Sequence, residues 1–268
     1  MSARMLPAMV LFALAACAPQ QPAVSTAPEP ATDPRAVQPE RPTVATHAGT
    51  VAPGFAELET GIERDRFADG TIGVQLPSVM KVGLASNAQL SLQLPLSAPS
   101  GGSAGVGDVA VGVKWRVLDN APLVHDFALL PQVKFSTGGS RGTCTTDASL
   151  LLISSRTIGP VALDLNAGIT TRSGDGSTVP RTASLWTVST GWTVKGSFGW
   201  VFEGYGYPGT GGPAGAPPVV AVLTGPTLTV NPSLAVDLGI IAPVAGPQPR
   251  AIYAGFVANF GRWIGSTR

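Results

Sequence analysis

Acidic and basic side chains recur at every second position along several stretches of this 268-residue chain. That spacing limits what they can do. Glu57, Glu59, Glu63 and Asp65 share one parity, and so do Asp108, Lys114 and Arg116. Lys134, Asp164, Arg172, Glu203 and Asp237 stand on the polar faces of later segments. Neighbouring side chains of an extended strand point to opposite sides, so residues two apart line one face. Charges arrayed in this way can line a water path and tune which solutes use it. They can also pair and hold a wall together, because a lone buried charge is costly. The signs are mixed, so no anion or cation preference follows.

Catalysis is poorly provided for. A Ser–His nucleophile needs a positioned histidine, and the chain has only two, His47 and His125. His47 lies in a Pro- and Ala-rich stretch with no companion metal ligand. His125 follows the Asp119-Asn120-Ala121-Pro122 turn, stands beside Asp126, and has no serine partner in sequence, so it reads as a rim residue. Cys144 sits in a Gly- and Thr-rich loop and reads as a surface thiol. Gly101-Gly102 and Gly138-Gly139 are loop glycines, not phosphate cradles, because no helix follows them. No cofactor or metal is called for, and no enzyme is expected.

The elements that must position the charges are strands. From Gly105 to Leu118, Val109, Val111, Val113, Trp115 and Val117 take one face, and Asp108, Ala110, Gly112, Lys114 and Arg116 the other. The same alternation sets Leu90, Leu92, Leu94 and Leu96 against Gln89, Ser91 and Gln93. It sets Val161, Leu163 and Leu165 against Asp164 and Asn166, and Phe198, Trp200 and Phe202 against Glu203 and Tyr205. Charged residues make up only 12% of the chain and apolar ones 44%, yet no apolar run is long enough for a spanning helix. A near-neutral balance of +1 argues against a nucleic-acid partner. Two cysteines offer no disulfide framework.

Twelve strands are predicted, at 54–66, 72–84, 88–96, 106–118, 123–136, 147–156, 160–172, 182–194, 197–206, 219–230, 232–242 and 250–260. Short connections alternate with longer Gly-, Ser- and Pro-rich ones, the rhythm of single-chain outer-membrane barrels. A continuous apolar stripe on nearly every strand needs a cover, and lipid is the simplest one. The fold expected is therefore all-β, a closed antiparallel up-and-down transmembrane β-barrel over residues 54–260. A short C-terminal tail, 261–268, follows Phe260.

Ahead of the barrel, Arg4 and the apolar run to Ala16 form a secretory signal over residues 1–16. Its end, Leu14-Ala15-Ala16-Cys17, resembles the lipobox of bacterial lipoproteins, which makes Cys17 the lipidated mature N-terminus. Residues 18–53, rich in Pro, Ala, Thr and Gln, offer too little to bury and read as a disordered periplasmic tether. Whether that tether plugs the lumen is left open by its composition.

An ordered series of short motifs runs through the barrel. It comprises Glu57-Leu-Glu-Thr-Gly61, Leu94-Pro-Leu96, Gly105 to Trp115, Leu130-Pro-Gln-Val-Lys-Phe135, Leu163-Asp-Leu-Asn-Ala-Gly168, Phe202-Glu203 and Asn231-Pro-Ser-Leu-Ala-Val-Asp237. From about Gly54 to Phe260 the series resembles the outer-membrane barrel family described as the MetA pathway of phenol degradation. The resemblance implies a bacterial outer-membrane transporter for passive passage of small molecules, hydrophobic or aromatic ones among them. The lumen-lining candidates are then Glu57, Glu59, Glu63, Asp108, Lys114, Arg116, Lys134, Asp164, Glu203 and Asp237. Expected partners are outer-membrane lipids, a small-molecule substrate, and the barrel-assembly and lipoprotein-sorting machineries. The alternative is a structural or adhesion-type barrel lipoprotein without transport; a lipid-modifying enzyme is a more distant one.

Overall fold

The computed structural model describes residues 33–98 and 102–263. The expected signal peptide, Cys17, the expected tether up to residue 32 and residues 264–268 lie outside the described residues.

Period-two sequence becomes strand throughout. The segments are β1 (Phe55–Arg66), β2 (Ile72–Leu76), β3 (Ser78–Ala85), β4 (Ala88–Gln93), β5 (Leu96–Ala98), β6 (Gly105–Val106), β7 (Ala110–Ala121) and β8 (His125–Lys134). They continue with β9 (Asp147–Ile158), β10 (Val161–Arg172), β11 (Thr182–Lys195), β12 (Phe198–Tyr207), β13 (Val219–Asn231), β14 (Leu234–Ala245) and β15 (Arg250–Arg262). Three predicted strands are each broken in two. Pro77 interrupts β2/β3 and Pro95 interrupts β4/β5, since proline has no N–H to give the ladder. Residues 107–109 interrupt β6/β7. Fifteen segments thus make twelve staves.

Every stave pairs antiparallel with its neighbour, and β15 returns to β1 from Phe55↔Arg262 to Arg66↔Arg250. The sheet therefore closes on itself and leaves no open edge. Several boundaries shift from those expected. β7 runs on to Ala121, which pairs with His125, so the expected Asp119–Pro122 turn is mostly strand and the reversal comes at 122–124. β15 continues through Gly261 and Arg262, both paired to β1, so the tail starts two residues later than expected.

The two faces separate as the alternation implies. Val111, Val113 and Trp115 are exposed on β7, while Ala110, Gly112 and Lys114 are buried. Ile62, Ile169, Leu238, Ile240 and Ile252 are each more than half exposed on the outside. Side chains of this kind left open to water on every stave form a belt that only lipid can cover. Aromatic anchors gather at one rim. Trp192 faces Trp200 across β11–β12, Trp115 is level with the β3–β4 turn, and Trp263 follows β15. The five tight reversals (86–87, 122–124, 159–160, 196–197 and 232–233) share this end, together with the start of β1 and the end of β15. The longer connections lie at the other end, an arrangement shared with outer-membrane barrels, whose short turns are generally periplasmic.

Leu165→Arg, near the middle of β10 on the outer face, is expected to destabilise the bilayer-folded barrel by about 2–4 kcal/mol. Urea unfolding in phospholipid vesicles checks it, with Thr187→Ser on the inner face shifting the midpoint little.

Candidate functional site

The inner wall carries the charges, and a second element occupies the space they enclose. Residues 37–53, expected as part of a disordered tether, run inside the barrel as a strap. It enters at the short-turn end, where the Val37 N–H donates to the Pro232 carbonyl at 2.8 Å. It turns near mid-lumen and leaves at the same end, where the Gly54 N–H donates to Gly83 O at 2.8 Å before β1 begins. The expectation of disorder fails here for a physical reason. The strap lacks bulky apolar groups, but backbone hydrogen bonds hold it, and small apolar contacts add to them: Ala48 packs with Ala128 and Ile153, and Val44 against the cluster of Val201, Leu223 and Ile241.

All but one of the following hydrogen bonds pair a strap N–H with an inward side-chain oxygen. Gln38 donates to Glu57 and Glu40 to Glu59, both at 2.9 Å. Val44 and Ala45 donate to the two carboxylate oxygens of Glu203 at 2.8 Å each. Thr46 donates to Asn166 Oδ1 at 2.8 Å, and Asn166 returns its amide to the Thr46 carbonyl at 2.9 Å. Ala48 donates to Ser155 Oγ at 2.7 Å and Val51 to Gln89 Oε1 at 3.0 Å. Hydrogen bonds to ionised groups are worth about 1.5–3 kcal/mol each, more than neutral ones. Small side chains let the chain come this close: Ala45, Ala48 and Val51 are all buried.

Ion pairs complete the fit. Lys81, fully buried, bridges Glu57 at 2.6 Å and Glu59, and donates to Gln38 O at 2.5 Å. Lys114 pairs with Glu40 of the strap and donates to His47 O at 2.9 Å. Arg41 lies 3.5 Å from Asp237. Its guanidinium rests against Gly61 and Gly255, which face one another across β1–β15. A methyl group at Gly61 would come within 2.6 Å of Arg41 Nη2, and one at Gly255 within 2.5 Å of Arg41 Nε. Only a wall without side chains at both positions leaves room for the arginine.

The strap divides the lumen. On the long-loop side is a cavity of about 400 Å³ lined by Glu59, Glu63, Gln93, Gln132 and Thr170, with Leu130, Leu223 and Ile241. On the short-turn side a second, of about 420 Å³, is lined by Asp164, Ser189, Thr227 and Asp237. Arg41, Pro42 and Thr43 wall both.

Of the ten residues proposed to line the lumen, Glu57, Glu59, Lys114, Glu203 and Asp237 meet on the strap. Glu63 and Asp164 face the cavities, Asp164 accepting from Ser155 Oγ at 2.5 Å. The other three stand at the rims. Arg116 pairs with Asp119 at 2.6 Å and donates to Ser86 O at 3.2 Å by the short turns. Asp108 and Lys134, 2.7 Å apart, knit the loop 135–146 at the other end, where Asp108 also accepts from the N–H groups of Gly138 and Thr143. Lys81, Gln89 and Asn166 also reach the strap from inward positions. Lys81 was accessible to the same parity argument, because it lies between Met80 and Val82. His125 is at the short-turn rim and Cys144 is exposed in its loop, as read.

Among solved structures, the chain is similar to an outer-membrane channel from Pseudomonas putida F1. The TM-score is 0.61 at 10% identity, covering 80% of this chain and 98% of that one. It is also similar to the NanC porin, with a TM-score of 0.52 at 10% identity and 76% and 98% coverage. Likeness at this identity establishes the barrel fold. No protein-family model and no curated protein matches the chain, so the phenol-degradation resemblance stands on its motifs alone.

At the long-loop rim, burial would raise the Asp108 carboxyl. Lys134 and the Thr143 and Gly138 N–H groups outweigh that and hold it at about 2. A depressed carboxyl stabilises fully above its ordinary value of 3.8 and loses that contribution as pH falls through about 2. A fluorophore on Cys144 in a Cys17→Ser chain should keep high anisotropy at pH 5 and lose it between about pH 4 and 2. Asp108→Asn should lower the anisotropy already at pH 7 and speed tryptic cleavage after Arg141.

Proposed function

We propose that the protein is an outer-membrane channel for small molecules and that the strap holds it shut. The observation that carries this reading is a polar lumen with a cavity on either side of one removable obstruction. Only non-covalent contacts hold the strap, and its two ends leave through the same mouth. It can therefore withdraw without threading the wall. The barrel neighbours, a channel and a porin, support the transport class.

The lumen favours solutes with both polar and apolar parts. Glu63, Gln93 and Gln132 offer hydrogen bonds in the upper cavity beside Leu130, Leu223 and Ile241. That mixture accommodates the small aromatic compounds the motif resemblance implies, while offering no continuous greasy path. The anchor at Cys17 and the periplasmic course of residues 18–36 belong to the same reading: they would keep a withdrawn strap near its mouth.

Single-channel recording in planar bilayers tests it. The full chain is expected to be closed for most of the record. Gly255→Val, which fills the slot of Arg41, is expected to raise open probability about ten-fold or more, corresponding to about 1.4 kcal/mol removed from the closed state. Equal records from the two proteins, with folding verified, would remove the strap as a gate. Silence in both and in a chain lacking residues 37–53 would remove the channel reading.

A further inference from the structure

The outer surface holds a second site that the lumen does not explain. At the long-loop end of the β1–β15 seam, Arg66 stands directly opposite Arg250, and Arg64 lies two residues below Arg66 on the same outward face. Like charges placed opposite one another across two strands repel. No ion pair among the described residues includes any of the three. A groove of about 770 Å³ opens above the pair, walled by Arg66, Arg250, Phe67, Pro243, Pro247 and Gln248. Asp69 also borders it, with Oδ1 accepting from both the N–H and the hydroxyl of Thr71, at 2.9 and 2.7 Å; its single negative charge stands against the three arginines Arg64, Arg66 and Arg250.

Below the arginines the same outward rows are aliphatic. Ile62 follows on β1, Ile252 on β15, and Leu238 and Ile240 on β14, all more than half exposed. Moving outward along the seam, hydrocarbon surface ends and guanidinium begins. A ligand matching both parts carries acyl chains beneath an anionic headgroup. Guanidinium recognises phosphate through paired N–H groups, and two facing arginines suit a phosphate monoester of high charge.

We propose that this seam binds a phosphorylated glycolipid of the outer leaflet, its phosphate between Arg66 and Arg250 and its chains along Ile62, Ile252 and Ile240. The proposal rests on the outer-membrane placement above and is independent of conduction. The bound lipid would neutralise the arginine pair and brace the strands where the barrel closes.

Binding of bisphosphorylated lipid A to the folded full chain in dodecyl maltoside, followed by native mass spectrometry, tests this. Its dephosphorylated counterpart and inorganic phosphate are run alongside, and no current is read. The wild type should prefer the bisphosphorylated lipid over both. Arg66→Ser/Arg250→Ser should weaken that binding about ten-fold or more, from the loss of charge-assisted bonds to phosphate. Arg156→Ser, an outward arginine at the opposite rim, should leave it unchanged. Where the double variant fails a heat-modifiability check of folding, Arg250→Ser alone replaces it and should still weaken binding. Undiminished binding in the variants, equal binding of the dephosphorylated lipid, or equal loss in Arg156→Ser would overturn the site. Inorganic phosphate binding as tightly as the lipid would make it a free-anion site and overturn the lipid assignment.

Discussion

Buried charge inside a narrow barrel must be answered by a partner, and in this protein much of the answer is backbone. Glu203 is fully buried and takes two consecutive strap N–H groups. Lys114, equally buried, has its carboxylate partner on the strap and not on the wall. Leaving either unmet would cost several kcal/mol. The reverse dependence holds as well, for the strap N–H groups at Val44, Ala45 and Thr46 have no strand to pair with and are satisfied only by Glu203 and Asn166. Wall and strap are therefore complementary halves of one polar core.

That core explains why the barrel can be apolar outside while its interior holds only two small apolar clusters among the described residues. Lipid covers the outer rows, and the inner rows are organised by hydrogen bonds and ion pairs of defined direction. The ion pairs of Lys81 with Glu57 and Glu59 lie within the wall and meet the strap only at the backbone of Gln38 and Glu40, whereas the pairs Lys114–Glu40 and Arg41–Asp237 cross from wall to strap. The crossing pairs make the strap's position specific. Under the proposed gating, water entering the lumen solvates each group as the strap leaves.

Period-two patterning made the architecture legible: strand count, closure and the outward apolar rows all follow from it. It also made much of the wall chemistry legible, since Glu57, Glu59, Lys114, Glu203 and Asp237 are inward by parity alone. Three charges of the same parity proved to be rim residues, because parity gives the face of a strand and not the height along it. The strap was the larger miss. Its side chains are small and its binding groups are N–H, which every residue but proline carries, so no composition or spacing distinguishes it from a solvated linker. A hint lay in Gly61 and Gly255, whose pairing becomes visible only once β1 and β15 meet.

The central claim is that strap amides are bonded to lumen side chains in the resting protein. Residue-resolved hydrogen exchange of the full chain in micelles measures this directly at Val44, Ala45, Thr46 and Val51. Protection of these amides at the level of the neighbouring strands, lost at Val44 and Ala45 in Glu203→Ala, is the result expected. Exchange at the rate of an open loop in the wild type would contradict it.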